Sequence, residues 1–183
     1  MANRHGSPFE HTIFSWLISA PIFVWREFHR HRIASYNEES GRYKQLEPVF
    51  YIPPRHRPLQ QVGKPGAYEF VPGTDEQYNT LVPLFQNDAR RQYHTYEALM
   101  RLGIAKEVAR MELPLNIFSS CYVTMNARAM MNFLSLRTKS EDSTYKSFPQ
   151  WEINQVADAM EETFAFAMPI THKAFVTNGR VQP

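Results

Sequence analysis

Cysteine is almost missing from this chain, with Cys121 standing alone among 183 residues. One cysteine excludes an internal disulfide and any cysteine-built metal site, and it suits a reducing, cytoplasmic setting. Charge of one sign is missing too. Twenty Lys and Arg against 18 Asp and Glu leave a net charge of only +2, far below the excess expected of a general polyanion binder. No long hydrophobic run is present. The most apolar stretch, Thr12 to Trp25, is interrupted by Ser15, Ser19 and Pro21 and falls short of the about 20 residues that a membrane span needs. Glu10 and His11 abut it, which argues against a secretory signal. Internal repeats and low-complexity tracts are also lacking.

What remains is a composition able to build a core. An apolar fraction of 43% with 14% aromatics fits one ordered domain covering residues 1–183. Phe9 to Ser19 alternates, with Phe14, Trp16 and Ile18 on one face and Ser15 and Ser19 on the other, so a half-buried strand is expected. Pro21 suits the first position of a helix running to His29, followed by a polar loop. Tyr51 to Gly73 holds five prolines and three glycines and reads as a long irregular connection. Thr74 with Gln77 has the form of a capping box opening a helix to about Leu102, its stripe running from Tyr78 through Phe85, Ala89 and Tyr96 to Met100. Pro83 should kink that helix or delay its start. Gly103 ends it, and a short helix over Ala105–Leu113 precedes Pro114. A second alternating strand spans Ile117–Met125, and a short helix Ala127–Leu136. Ser147 and Gln150 are expected to cap a final helix striped by Ile153, Val156, Met160, Phe164 and Met168. Without a regular βαβ rhythm the pattern indicates an α+β fold: a central, mostly antiparallel sheet packed with long helices.

The most irregular chemistry lies between Arg30 and Arg42. Arg30, His31, Arg32, Glu38, Glu39, Ser40, Gly41 and Arg42 crowd a stretch with little apolar content. Guanidinium forks grip phosphate oxygens or a pyrimidine carbonyl edge at two points, making Arg30, Arg32, Arg42, Arg110 and Arg137 the candidate anion binders. Ser40-Gly41 adds a hydroxyl and a backbone that lets main-chain N–H groups approach a phosphate. The other constellations are weaker. His5, His11, His29 and His31 match no zinc spacing, so no metal is expected. Ser35 and Ser40 lack a hydrolytic triad around them. Cys121, Met130 and Met131 are read as core.

The run Arg30–Arg42 resembles, letter for letter, the signature R-H-R-x-x-S-x-N-E-x-S-x-R of the flavin-dependent thymidylate synthases. His5-Gly6-Ser7-Pro8-Phe9-Glu10-His11 is similar to the family segment that precedes it. So are Pro21–Pro53, Glu107–Arg110 through Leu113–Asn116, Asn126–Arg128 through Asn132–Arg137, and Gln150–Ile153. The resemblance implies a homotetramer with active sites between subunits, binding FAD and a pyrimidine nucleotide (dUMP or UMP), with NADPH and methylenetetrahydrofolate as co-substrates. Neither a nucleic-acid nor a membrane partner is implied. By position, Ser7, Arg30, His31, Arg32, Glu38, Asn126, Arg128 and Asn132 would face FAD. Glu27, Arg30, Glu38, Ser40, Gly41, Arg42 and Arg110 would hold the nucleotide, Arg42 and Arg110 at its phosphate. Arg137 would contact the uracil ring as the catalytic cation, stabilising negative charge there. The implied reaction is reductive C5 methylation of the uridine nucleotide. The alternative is a non-catalytic protein that binds flavin or single-stranded nucleic acid, with Tyr36 and Tyr43 as stacking groups.

Three departures from the family pattern stand out. By the resemblance, the strand and helix that usually precede the His5 segment are expected to be short or absent here. Glu27 replaces a common glutamine and would accept hydrogen bonds from ribose hydroxyls, as acidic residues do in dinucleotide folds. Thr138–Pro149 is longer than usual, lacks a common histidine, and reads as a mobile polar loop. Together they suggest that the site admits UMP beside dUMP, for which UMP methylases of antibiotic pathways are an analogy.

Overall fold

Side-chain alternation builds the sheet. A computed structural model describes Met1, residues 3–65 and residues 67–183. Ala2 lies outside the described residues, as does Gly66, one of the glycines in the Tyr51–Gly73 connection. Strand β1 (Ile13–Pro21) turns Phe14, Trp16 and Ile18 inward and leaves Ser15 and Ser19 exposed, as the alternation predicts. It starts later than Phe9 because Ser7-Pro8 begins a 3-10 turn over Ser7–Glu10. It also runs through Pro21, so helix α1 (Ile22–Phe28) starts one residue later than expected. The sheet order is β1-β5-β2, where β2 is Ser35–Glu38 and β5 is Phe118–Asn126. Strand β2 pairs antiparallel with β5, Ser35 opposite Thr124 and Glu38 opposite Cys121. Part of the basic motif is therefore a strand and not a loop. The architecture is α+β.

Two compact units divide the chain. The first comprises Met1–Ile18, Val24–Glu38 and Ser120–Pro183. Its core takes Cys121, Val123 and Met125 from β5 and Met130, Met131, Phe133 and Leu134 from helix α4 (Ala127–Arg137). Cys121, Met130 and Met131 are buried packing residues, as expected. Phe28 stacks on Phe133 at 5.0 Å between ring centroids. Truncating Phe133 to alanine should cost about 3–5 kcal/mol through lost burial and the cavity left behind. Helix α5 (Trp151–Ala167) buries Ile153, Ala157, Met160 and Phe164. Its cap differs from expectation: Gln150 makes no side-chain cap bond, and the Ser147 hydroxyl donates instead to the Thr138 carbonyl, 2.6 Å away. The apolar stripe also continues past Met168. Pro169 opens a further helix, α6 (Pro169–Thr177), which buries Phe175.

The second unit comprises Ser19–Phe23 and Glu39–Ser119. Its spine is helix α2 (Asp75–Arg101), opened by the expected capping box of Thr74 and Gln77. Pro83 lies inside this helix and does not delay its start. Tyr78, Ala89 and Tyr96 are its buried side chains, while Phe85 in the expected stripe is exposed. The presumed irregular connection contains a hairpin of β3 (Gln60–Lys64) and β4 (Ala67–Val71). Prolines concealed it, yet Pro58, Pro65 and Pro72 all fall outside the paired rows, where no ladder N–H is needed. The expected helix over Ala105–Leu113 is α3 (Lys106–Ala109) followed by a 3-10 turn over Arg110–Glu112.

Candidate active site

In the first unit the sequence brings Glu27, His31 and Arg137 together. Helix α1 presents Glu27 and the turn after it His31, while α4 delivers Arg137 as its last residue. Arg137 Nε donates to His31 Nε2 at 3.0 Å, and Arg137 Nη1 lies 2.9 Å from Glu27 Oε2. The guanidinium is only 16% exposed, against 38% for the Glu27 side chain. His31 itself is buried, its ring edge-on to Phe133 at 4.8 Å. Burial first, and the Arg137 charge second, lower its pKa from 6.5 to about 4. It is neutral near pH 7, and because Nε2 accepts, the ring proton sits on Nδ1. Arg137 Nη2 makes no hydrogen bond among the described residues, leaving one fixed donor free for a ligand.

Tyr36 is the residue that sequence reasoning underrated. Its hydroxyl lies 2.9 Å from the Phe28 carbonyl and 3.0 Å from that of His31, so it ties down the turn carrying Arg30 to Arg32. Burial, with a smaller contribution from Cys121, raises its pKa to about 12. A half-buried ring held this way is a brace and not a stacking platform. Arg30 and Arg32 flank His31, exposed and without side-chain partners among the described residues. Glu38 ends β2 and is exposed. Asn126 caps α4, its Oδ1 accepting from Ala129 N at 2.8 Å. Asn132 is half-buried on the same helix. Arg128 does not join the Arg137 group; it pairs with Glu10 at 2.6 Å and donates to the Pro183 main-chain oxygen at 2.9 Å. Ser7 Oγ is 3.0 Å from His5 Nε2.

In the second unit Ser40 and Gly41 open a turn. Tyr43 N and Lys44 N both donate to the Ser40 carbonyl, and Arg42 N donates to Ser40 Oγ at 3.3 Å. A side chain at Gly41 would meet Leu46 and the Arg110 stem only at ordinary van der Waals distance, so these contacts do not themselves require glycine. Arg42 is paired with Glu107, Nε to Oε2 at 2.5 Å, with both side chains about half exposed (50% and 51%). Such a surface pair is worth about 0–1 kcal/mol and opens readily for a competing anion. Glu107 belongs to the Glu107–Arg110 family-like segment, but nothing local in the sequence signals this long-range partner.

A family model described as thymidylate synthase complementing protein matches residues 1–170. The flavin-dependent thymidylate synthase of Tropheryma whipplei (strain TW08/27) is 58% identical over 183 residues, covering 100% of this chain and 76% of that protein. The chain belongs to the flavin-dependent thymidylate synthase family. Another member, from Streptomyces coelicolor, is 52% identical over 100% of this chain and 75% of its own. Among solved structures, the UMP/dUMP methylase PolB from Streptomyces cacaoi bound with 5-Br UMP superposes with a TM-score of 0.98 at 46% identity, covering 100% of this chain and 82% of that one. PolB bound with 5-Br dUMP gives a TM-score of 0.93.

The donors present suit the flavin of the flavin-dependent thymidylate synthases. Two unpaired guanidiniums, Arg30 and Arg32, are what a pyrophosphate asks for. The free amide hydrogens of Asn126 and the half-buried Asn132 amide offer directional bonds for a heterocycle edge.

Proposed function

We propose that this chain carries out reductive C5 methylation of a uridine nucleotide, dUMP or UMP, with methylenetetrahydrofolate and NADPH as co-substrates. The observation behind this reading is the half-buried Arg137 guanidinium, fixed by His31 and Glu27 with Nη2 free. A cation so constrained loses little entropy on meeting a pyrimidine carbonyl and stabilises negative charge as it develops on the ring. Bound FAD would supply the redox chemistry that no side chain here provides. Ser7, Arg30, His31, Arg32, Glu38, Asn126, Arg128 and Asn132 would hold it. Arg42 and Arg110, with Ser40 and Gly41, would take the nucleotide phosphate, in a homotetramer whose sites draw residues from different protomers.

Glu27 bears on the sugar. Its Oε2 engages Arg137, and its other oxygen has no hydrogen bond among the described residues. A carboxylate oxygen only accepts, so it suits a ribose hydroxyl. Likeness to PolB, solved with both 5-Br UMP and 5-Br dUMP, supports admitting both sugars. The test incubates the protein with FAD, NADPH, methylenetetrahydrofolate and each nucleotide, then weighs the base. A methyl gain on either nucleotide is expected. Turnover of dUMP alone, without UMP binding, rejects the broader substrate range, and no methylated base from either rejects the activity.

A further inference from the structure

Helix α6 is followed by two consecutive left-handed residues, Gly179 (φ 72°) and Arg180 (φ 56°). For a non-glycine residue that conformation is costly and needs local compensation. The compensation is visible. The reversal sends the Arg180 side chain back into the unit, where it is 6% exposed and lies over the Phe175 ring at 5.1 Å. Its guanidinium grips Glu161 of α5 at two points, Nη1 to Oε1 at 2.8 Å and Nη2 to Oε2 at 2.5 Å. His172 of α6 adds a third contact to Glu161, Nε2 to Oε1 at 2.7 Å. Burial alone would raise the Glu161 pKa, but the bonds and charges of Arg180 and His172 outweigh it and hold the carboxyl below its usual value. Glu161 is thus held as a carboxylate against Arg180, whose Nε alone in this group is buried without a hydrogen-bond partner among the described residues.

One contact leaves this cluster. Arg180 Nη2 donates to Thr138 Oγ1 at 2.6 Å. Thr138 terminates α4 directly after Arg137: its N–H and its hydroxyl both donate to the Leu134 carbonyl, at 3.0 and 2.7 Å. Its own carbonyl accepts from Ser147, and Thr144 N donates to the Gly179 carbonyl at 2.9 Å. The last turn of α4 is thus fastened from the chain's C-terminal segment, by a cation at the helix end where the backbone dipole is negative.

We propose that Arg180 is a positioning residue, acting through Thr138 to hold Arg137 where it meets the nucleotide. This rests on the reading of Arg137 under Proposed function. A loose helix end would let Arg137 swing from His31 and Glu27, and the binding entropy saved by prior fixing would be lost.

A double-mutant cycle tests it on the full chain, reading dUMP and UMP affinity by calorimetry and flavin affinity by absorbance. Thr138→Val keeps the side-chain shape and removes the hydroxyl. It should weaken nucleotide binding about tenfold, the scale of one charge-assisted hydrogen bond, leave flavin affinity unchanged, and have no further effect in an Arg137→Ala background. Arg180→Lys, which keeps the charge and loses the fork, should behave likewise. If Arg180→Lys fails to fold, the Thr138→Val cycle decides alone. Equal losses with and without Arg137, or parallel loss of flavin, would mean a merely structural contact and overturn the inference alone. Should Arg137→Ala itself leave nucleotide affinity untouched, the assignment of Arg137 falls, and this inference with it.

Discussion

Arg137 is 16% exposed between an imidazole and a carboxylate, whereas Arg42 is half exposed and holds the single carboxylate of Glu107. Arg137 closes a helix packed by Met130, Met131, Phe133 and Leu134, while Arg42 sits on a turn built around Ser40 and Gly41. Burial makes each Arg137 contact strong and its loss expensive; exposure makes the Arg42 pair weak and exchangeable. On the proposed reading, the first would orient a ring and the second would hold a phosphate by exchange with Glu107.

Removing the organised cation is the harshest way to break the comparison. Arg137→Ala should lower turnover at least about a hundredfold, as loss of one preorganised charge contact does, while bound flavin is retained. Steady-state rates on dUMP and UMP, with the flavin spectrum, check this. Second in size is the pH response around Arg137. The folded pKa of His31 is depressed from 6.5 to about 4, so the unfolded chain binds the extra proton throughout that window. Stability is therefore full above pH 6.5 and falls as pH drops towards 4, on the order of 2 kcal/mol after solvent screening. Urea midpoints across this range measure it, and His31→Asn should flatten the slope above the range where Glu161 titrates. Next, Arg42→Ala should weaken nucleotide binding about tenfold, one charged contact's worth, with no change in urea midpoint. Smallest is Glu107→Ala, which frees Arg42. It should shift stability by less than about 0.5 kcal/mol and tighten nucleotide binding by a factor of about two, given the small worth of exposed pairs.

In both halves of this contrast, local patterns were the more legible in sequence. Alternation in β1 and β5 and the Thr74–Gln77 box follow from local chemistry, which needs no partner to be recognised. Arg30–Arg42 could be named because the run is irregular and long enough to be distinctive, whereas the role of Arg137 came only through the family resemblance. Pairings were not legible. Glu107 with Arg42, and Arg180 with Thr138 and Glu161, join residues far apart in the chain, and nothing near a lone arginine says which carboxylate it will meet. The β3–β4 hairpin was hidden by prolines that border its ladder, and α6 by a proline that ends one helix and begins the next.

Asn126 carries a consequence of its own. Because Oδ1 is committed to the Ala129 amide, rotation that would exchange the oxygen and nitrogen of this side chain is forbidden without uncapping the helix. Toward any visitor the nitrogen end of this side chain is therefore fixed in place and offers only hydrogens, so whatever meets that nitrogen must present an acceptor there.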